Sequence, residues 1–124
     1  MFELKVLTQF AAAHRLTMVG KQCENLHGHN WKIEVCVEGK TLDKGGVLVD
    51  FGVIKSHLRE IIAHLDHRFL NDLPEFGDNT PASSEHIAVF IAKNLQSLIS
   101  THGVRVSRVS AWESDTSCAT YIPE

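Results

Sequence analysis

Two segments of the chain alternate between apolar and polar residues, as half-buried β-strands do. The first segment has one apolar face made of Leu4, Val6, Thr8, Phe10 and Ala12. The second has an apolar face made of Trp31, Ile33, Val35 and Val37, with Lys32, Glu34 and Glu38 on the other side. Each segment is therefore predicted to be a strand with one face in the core and the other in solvent.

Two later segments carry apolar residues three and four positions apart, which is the spacing of an amphipathic helix. The first helix is predicted to begin at Asp50 as N-cap and to run to about Leu65. The second is predicted to begin at Thr80-Pro81, with threonine as N-cap and proline in the first helical position, and to end before Gly103. Its apolar face consists of Ile87, Phe90, Ile91, Leu95 and Leu98. Residues 66–79, with Pro74 and Gly77, are predicted to form a connecting loop.

Two further strands are predicted at 104–112 and 118–122. The element order is then β-β-α-α-β-β. This order predicts an α+β domain spanning residues 1–124, in which a four-stranded antiparallel sheet carries two helices on one face.

Composition narrows the functional classes. The 124 residues have a formal charge of −3 and scattered lysines and arginines, so the chain lacks the basic patch that nucleic-acid binding needs. The start, MFELKVLTQF, has charges and no long apolar run, and we expect neither a signal peptide nor a membrane anchor. Cys23, Cys36 and Cys118 form no CxxC pair, which favours a reducing cytoplasm.

Histidine is the one residue type in excess, with eight copies. His27 and His29 point to the same side of the second strand, about 7 Å apart. His14 has the parity of the apolar face of the first strand. If the two strands pair antiparallel, all three histidines meet at one edge of the sheet. A lone His-x-His pair is a weak signal, but a third histidine arriving by an independent argument favours a zinc site with an open fourth position.

Cys23 lies four residues before His27. As a thiolate it could close the metal site as a fourth ligand. It could equally stand beside a substrate, where a nearby metal ion would lower the pKa of the thiol and make a base or nucleophile available. Cys36 and Cys118 are expected to be inert thiols.

Two further polar positions are candidates for chemistry. Asp66 beside His67 could form an oriented acid–base pair, although adjacent aspartate and histidine are also common by chance. Glu113 follows an apolar strand and could cap a turn, or accept the paired N–H donors of a guanidine-like heterocycle. The remaining histidines carry no special signal. Of these, His57 and His64 are expected to be solvated on the first helix, and His86 and His102 flank the second.

Taken together, these motifs resemble the 6-pyruvoyltetrahydropterin synthase / 6-carboxytetrahydropterin synthase family along nearly the whole chain. The matching stretches are FAAAHRL at 10–16, CENLHGHNW at 23–31, VDFGVIK at 49–55, LDHRFLN at 65–71, PASSE at 81–85 and WESDTSCATY at 112–121. The resemblance implies the tunnelling fold (T-fold), in which trimers form a β-barrel and stack into homohexamers with active sites between subunits.

The resemblance also implies the site. It makes His14, His27 and His29 the zinc ligands, Cys23 the proton-transfer residue, Asp66 and His67 the rest of the catalytic set, and Glu113 the anchor of the pterin ring. The implied substrate is 7,8-dihydroneopterin triphosphate. The four-residue spacing from Cys23 to His27 is that of bacterial 6-carboxytetrahydropterin synthases, which release acetaldehyde and triphosphate in an early step toward queuosine and other 7-deazapurines.

Other activities stay open. The pyruvoyl-forming synthases have a longer gap before the HGH motif. Glu24, in an E-x-x-H-G-H pattern, resembles family members that cleave the side chain to 6-hydroxymethyl-7,8-dihydropterin for folate, and it could also be a solvated loop carboxylate. A zinc-binding protein without turnover would not need Cys23, Asp66 and His67 together. A hydrolase using zinc-bound water would release no acetaldehyde and would not need Glu113.

Overall fold

The computed structural model describes residues 1–16 and 26–124, in which there are five strands, two α-helices and two short 3₁₀ helices at Leu70–Asp72 and Ser100–His102. In chain order the elements are β1 (Phe2–His14), β2 (His27–Gly39), α1 (Phe51–Leu65), β3 (Arg68–Phe69), α2 (Ser84–Ile99), β4 (Arg105–Ser114) and β5 (Ser117–Tyr121). No helix within those ranges is long and apolar enough to cross a membrane.

The strands form a single sheet in the order β3-β1-β2-β4-β5. The four long predicted strands are confirmed, and their neighbours in the sheet run antiparallel. The prediction of a four-stranded sheet is corrected by β3, which lies in the predicted loop at 66–79 and pairs parallel with Ala12 and Ala13. A two-residue strand has no periodic pattern, and its pairing partner is distant in sequence, so the alternation could not reveal it.

The start of the first helix is as predicted, and the start of the second is not. Asp50 caps α1 by accepting a hydrogen bond from the Gly52 N–H at 2.7 Å. The N-cap of α2 is Ser83, whose hydroxyl accepts from the His86 N–H at 3.2 Å, and not Thr80. Thr80 is held in a turn by two backbone hydrogen bonds with Gly77, so it cannot begin the helix.

One apolar core fills the space between the helices and the buried face of the sheet. In it, α1 contacts β1, and α2 contacts β4 and β5.

Two smaller predictions of side-chain burial are wrong. Leu98, expected on the buried face of α2, is 37% exposed, and His57, expected in solvent, is half-buried with an Nδ1 that is shielded and makes no hydrogen bond to the described residues.

Candidate metal centre and active site

His14, His27 and His29 meet at the end of the β1–β2 pair, as the parity of the strands predicts. The antiparallel register places His14 directly opposite His27, and His29 opposite Ala12. The Nε2 atoms of His14 and His27 are 2.9 Å apart. All three rings lie within 4.5 to 5.1 Å of one another, centroid to centroid. Three imidazoles therefore present nitrogen atoms to one point.

The ring of His14 is held in place by a hydrogen bond at Nδ1, the nitrogen that faces away from the cluster. Its side chain is only 1% exposed, and its Nδ1 lies 2.7 Å from the backbone oxygen of Ala82, just before α2. Because a carbonyl can only accept a hydrogen bond, Nδ1 carries the proton and Nε2 presents its lone pair to the cluster. Metal-binding histidines in proteins are usually held in this way. Sequence reasoning missed this contact, because a backbone carbonyl leaves no signal in the sequence.

Glu113 joins the three histidines. Its Oε1 lies 2.8 Å from His29 Nε2, 3.3 Å from His14 Nε2 and 3.7 Å from His27 Nε2. The pairing of β4 with β5 shifts register at this point, between Trp112 and Ser114. Such a bulge re-aims a side chain. The sequence predicts Glu113 as an anchor for a heterocycle, and the structure places its carboxylate within reach of the histidine nitrogens.

The four side chains could hold a metal ion. Their ligand atoms all lie within 4.8 Å of one another. The Nε2 of His29 is buried and makes no hydrogen bond of acceptable geometry to the described residues, although Glu113 is close, so a metal ion would satisfy it. Burial, with help from the neighbouring imidazoles, lowers the pKa of His29 more than Glu113 raises it. A neutral imidazole is the form that binds metal.

Asp66 and His67 form a second cluster. The Asp66 carboxylate accepts from the Ala11 N–H at 2.9 Å through Oδ1, and its Oδ2 lies 2.9 Å from His67 Nδ1. The hydrogen bond from Ala11 is the main cause that lowers the pKa of Asp66, and His67 adds to it. An ionised Asp66 fixes the proton of His67 on Nδ1, which leaves Nε2 to take or give a proton. The predicted pair therefore has the geometry of an oriented acid–base group.

The second cluster lies beside the first within one chain. Asp66 is bound at Ala11, and the next residue of β1, Ala12, pairs with His29. The side chain of His67 is 81% exposed. Beside it, a cleft of about 480 Å³ is lined by residues that include His29, Asn30 and His67, so it adjoins both the histidine cluster and the acid–base pair. Cys23 and Glu24 lie outside the described residues.

Asn71 clamps the end of β1, a contact that the sequence motif did not reveal. Its side-chain oxygen accepts from the Arg15 N–H at 2.8 Å, and its side-chain NH₂ donates to the Arg15 carbonyl at 2.7 Å. The amide thus continues the strand pairing one residue past His14. It holds the backbone at the end of β1 that carries His14.

We expect Asn71→Ala to lower the free energy of unfolding by about 1 kcal/mol, because two exposed hydrogen bonds are lost, and to weaken zinc binding through His14. Asn71→Asp keeps the acceptor for the Arg15 N–H but sets a carboxylate against the Arg15 carbonyl, so its defect should be comparable or larger. Urea unfolding and chelator competition measure the two effects. Wild-type zinc affinity in both variants would show that the clamp does not position His14.

Comparisons with known sequences and structures point to one family. A sequence model described as 6-pyruvoyl tetrahydropterin synthase matches residues 3–124. An Archaeoglobus fulgidus protein, provisionally named 6-carboxy-5,6,7,8-tetrahydropterin synthase, is 34% identical over 89% of this chain and 86% of its own. The dihydroneopterin monophosphate aldolase of Pyrococcus furiosus is 35% identical over 84% of this chain and 82% of its own. The structure of Caenorhabditis elegans 6-pyruvoyl tetrahydropterin synthase superposes with a TM-score of 0.86 at 25% identity, over 99% of this chain and 96% of that one.

Proposed function

Because the chain belongs to the 6-pyruvoyl tetrahydropterin synthase family, we propose that it converts 7,8-dihydroneopterin triphosphate into 6-carboxy-5,6,7,8-tetrahydropterin. Acetaldehyde and triphosphate leave, and one water is consumed, which balances the atoms. The observation that carries the proposal is the convergence of His14, His27 and His29 on one point, with a carboxylate beside them. The product would feed the synthesis of 7-deazapurines such as queuosine.

Each residue has a role in this proposal. The three histidines would hold zinc, which would supply a Lewis acid to the substrate side chain. Glu113 receives the N–H donors of the amino-pyrimidinone edge. Cys23 moves a proton at the side-chain carbons. Asp66 holds His67 with Nε2 available, and His67 moves the second proton. We place the activity in the cytoplasm, where Cys23 stays a free thiol.

The exposure of His67 supports an active site shared between subunits. Within one chain, Asp66 is bound at Ala11, and His29 lies opposite Ala12, so both clusters border the same open cleft. His67 is exposed beside an open cleft. We propose that a neighbouring copy, in a trimer or hexamer, completes the site. His67 of one subunit then transfers a proton on the substrate bound at the metal site of another.

Family membership alone does not choose the product. Relatives of similar identity bear the names of a 6-carboxytetrahydropterin synthase and of an aldolase. The choice of 6-carboxytetrahydropterin depends on Cys23, four residues before His27. The aldolase relative and the neighbouring Glu24 favour a second candidate, cleavage to 6-hydroxymethyl-7,8-dihydropterin. The pyruvoyl-forming reaction is the third.

Two variants test which residue serves the reaction. We expect Cys23→Ala to lower the formation of 6-carboxytetrahydropterin by roughly 10²- to 10⁴-fold, because a proton-transfer group is lost. Glu24→Ala should leave that rate nearly unchanged. Mass spectrometry of the pterin products measures both. If 6-hydroxymethyl-7,8-dihydropterin forms in the wild type, survives Cys23→Ala and disappears with Glu24→Ala, the cleavage reaction is the correct one.

A further inference from the structure

The carboxylate of Glu113 lies where a fourth metal ligand would lie. Ligand atoms around a tetrahedral zinc with bonds of about 2.0–2.1 Å are separated by about 3.4 Å. The three distances from Glu113 Oε1 to the histidine Nε2 atoms, 2.8, 3.3 and 3.7 Å, lie on both sides of that value. The carboxylate is therefore close enough to all three nitrogens to share one ion with them.

The surroundings of Glu113 allow it to move. Its side chain is 35% exposed, against 1%, 30% and 22% for His14, His27 and His29, so the carboxylate is the most exposed member of the cluster. It is also at the bulge between Trp112 and Ser114, where the ladder to β5 is irregular. On the opposite face of the sheet, Trp112 is held by Glu34, which accepts from its indole N–H at 3.1 Å. The backbone beside Glu113 is thus anchored while its side chain points to the open side.

One carboxylate cannot serve two partners at the same time. As a fourth ligand, Glu113 would close the coordination sphere, as in structural zinc sites, whereas a catalytic site keeps a position for substrate. As the anchor of the pterin ring, it would have to give both oxygens to N–H donors of the substrate.

We propose that Glu113 is the fourth metal ligand in the substrate-free protein and that the pterin edge displaces it. The second half of this inference rests on the proposed function, and the first half stands without it. The exchange opens a coordination position only when a pterin is present, which keeps other ligands off the metal in the resting protein.

The first half is tested without substrate. The apo-protein is titrated with Zn²⁺ against a chelator and with Co²⁺ while the visible spectrum is recorded. We expect Glu113→Ala and the nearly isosteric Glu113→Gln to weaken metal binding at least about tenfold and to change the Co²⁺ spectrum. Glu75→Gln is the matched control, because Glu75 is a half-buried carboxylate paired with His64 at 2.8 Å. Wild-type affinity and spectrum in both Glu113 variants would overturn the inference.

The second half is tested by adding 7,8-dihydroneopterin, which has no triphosphate to lose, to the Co²⁺ protein. The spectrum should shift in the wild type and change less in Glu113→Ala. A wild-type spectrum that stays constant while quenching of pterin fluorescence shows binding would overturn the exchange. Failure of the proposed reaction would appear separately, as absent 6-carboxytetrahydropterin, and would leave the metal titrations unaffected.

Discussion

Replacing His29 by alanine is expected to remove tight zinc binding and to lower turnover of 7,8-dihydroneopterin triphosphate about a thousandfold or more. The variant keeps only two nitrogen ligands and the Glu113 carboxylate, which has to leave the metal when the pterin binds, and a Lewis acid at this position lowers the barrier by several kcal/mol. The side chain of His29 is 22% exposed, so the fold should tolerate the change. Metal analysis after dialysis and single-turnover kinetics measure the two effects.

Two further histidine variants test whether the loss of zinc is specific to the three clustered histidines. His64→Ala is the matched control, because His64 pairs with Glu75 away from the cluster, and zinc content and turnover should stay near wild type. His14→Ala should lose zinc and also destabilise the apo-protein, because His14 is buried and its bond to Ala82 is lost. Full zinc content and turnover in His29→Ala would show that the three histidines are not the metal site.

The His67→Asn variant is expected to keep its zinc and to lose roughly 10²- to 10⁴-fold in turnover, since a general acid–base group is removed. Asparagine is the substitution of choice because His67 has a φ of 58°, and asparagine tolerates the left-handed conformation better than alanine. The exposed side chain adds little to the core, so thermal unfolding should hardly change. A variant that keeps its metal but loses turnover would show that the Asp66–His67 pair acts in catalysis and not in metal binding.

His102→Ala is the control for His67, because His102 is an exposed histidine far along the chain, after α2. It should have wild-type turnover.

If the proposed sharing between subunits is correct, mixing His67→Asn with His29→Ala should restore part of the activity, because some interfaces then combine an intact zinc site with an intact His67. Wild-type turnover in His67→Asn would remove this residue from the mechanism.

The convergence of the three histidines could be predicted from sequence because strand geometry is regular. Side chains alternate with a period of two, and antiparallel pairing brings the end of one strand beside the start of the next. Parity alone therefore placed His14 and His29 on one face, and the register opposite His27 confirmed it. Regular spacing of apolar residues likewise made it possible to predict the four long strands and α1, with Asp50 as its N-cap.

The rest of the site depends on irregular backbone, which carries no period. The segment that binds β1 uses Asp66, β3 and the Asn71 amide, and each contact joins residues more than fifty positions apart. The bulge at Glu113 turns a predicted ring anchor toward the histidines. The start of α2 was misplaced because Thr80 and Ser83 are both good caps, and only the turn with Gly77 excludes the first.

The central claim is most directly tested by the products of the zinc-loaded wild-type protein acting on 7,8-dihydroneopterin triphosphate. Mass spectrometry identifies the pterin, and enzymatic assays quantify acetaldehyde and triphosphate. We predict 6-carboxy-5,6,7,8-tetrahydropterin, acetaldehyde and triphosphate in equal amounts, with none of the three formed by His29→Ala. Formation of 6-hydroxymethyl-7,8-dihydropterin or a pyruvoyl product instead, or loss of phosphate without acetaldehyde, would contradict the account.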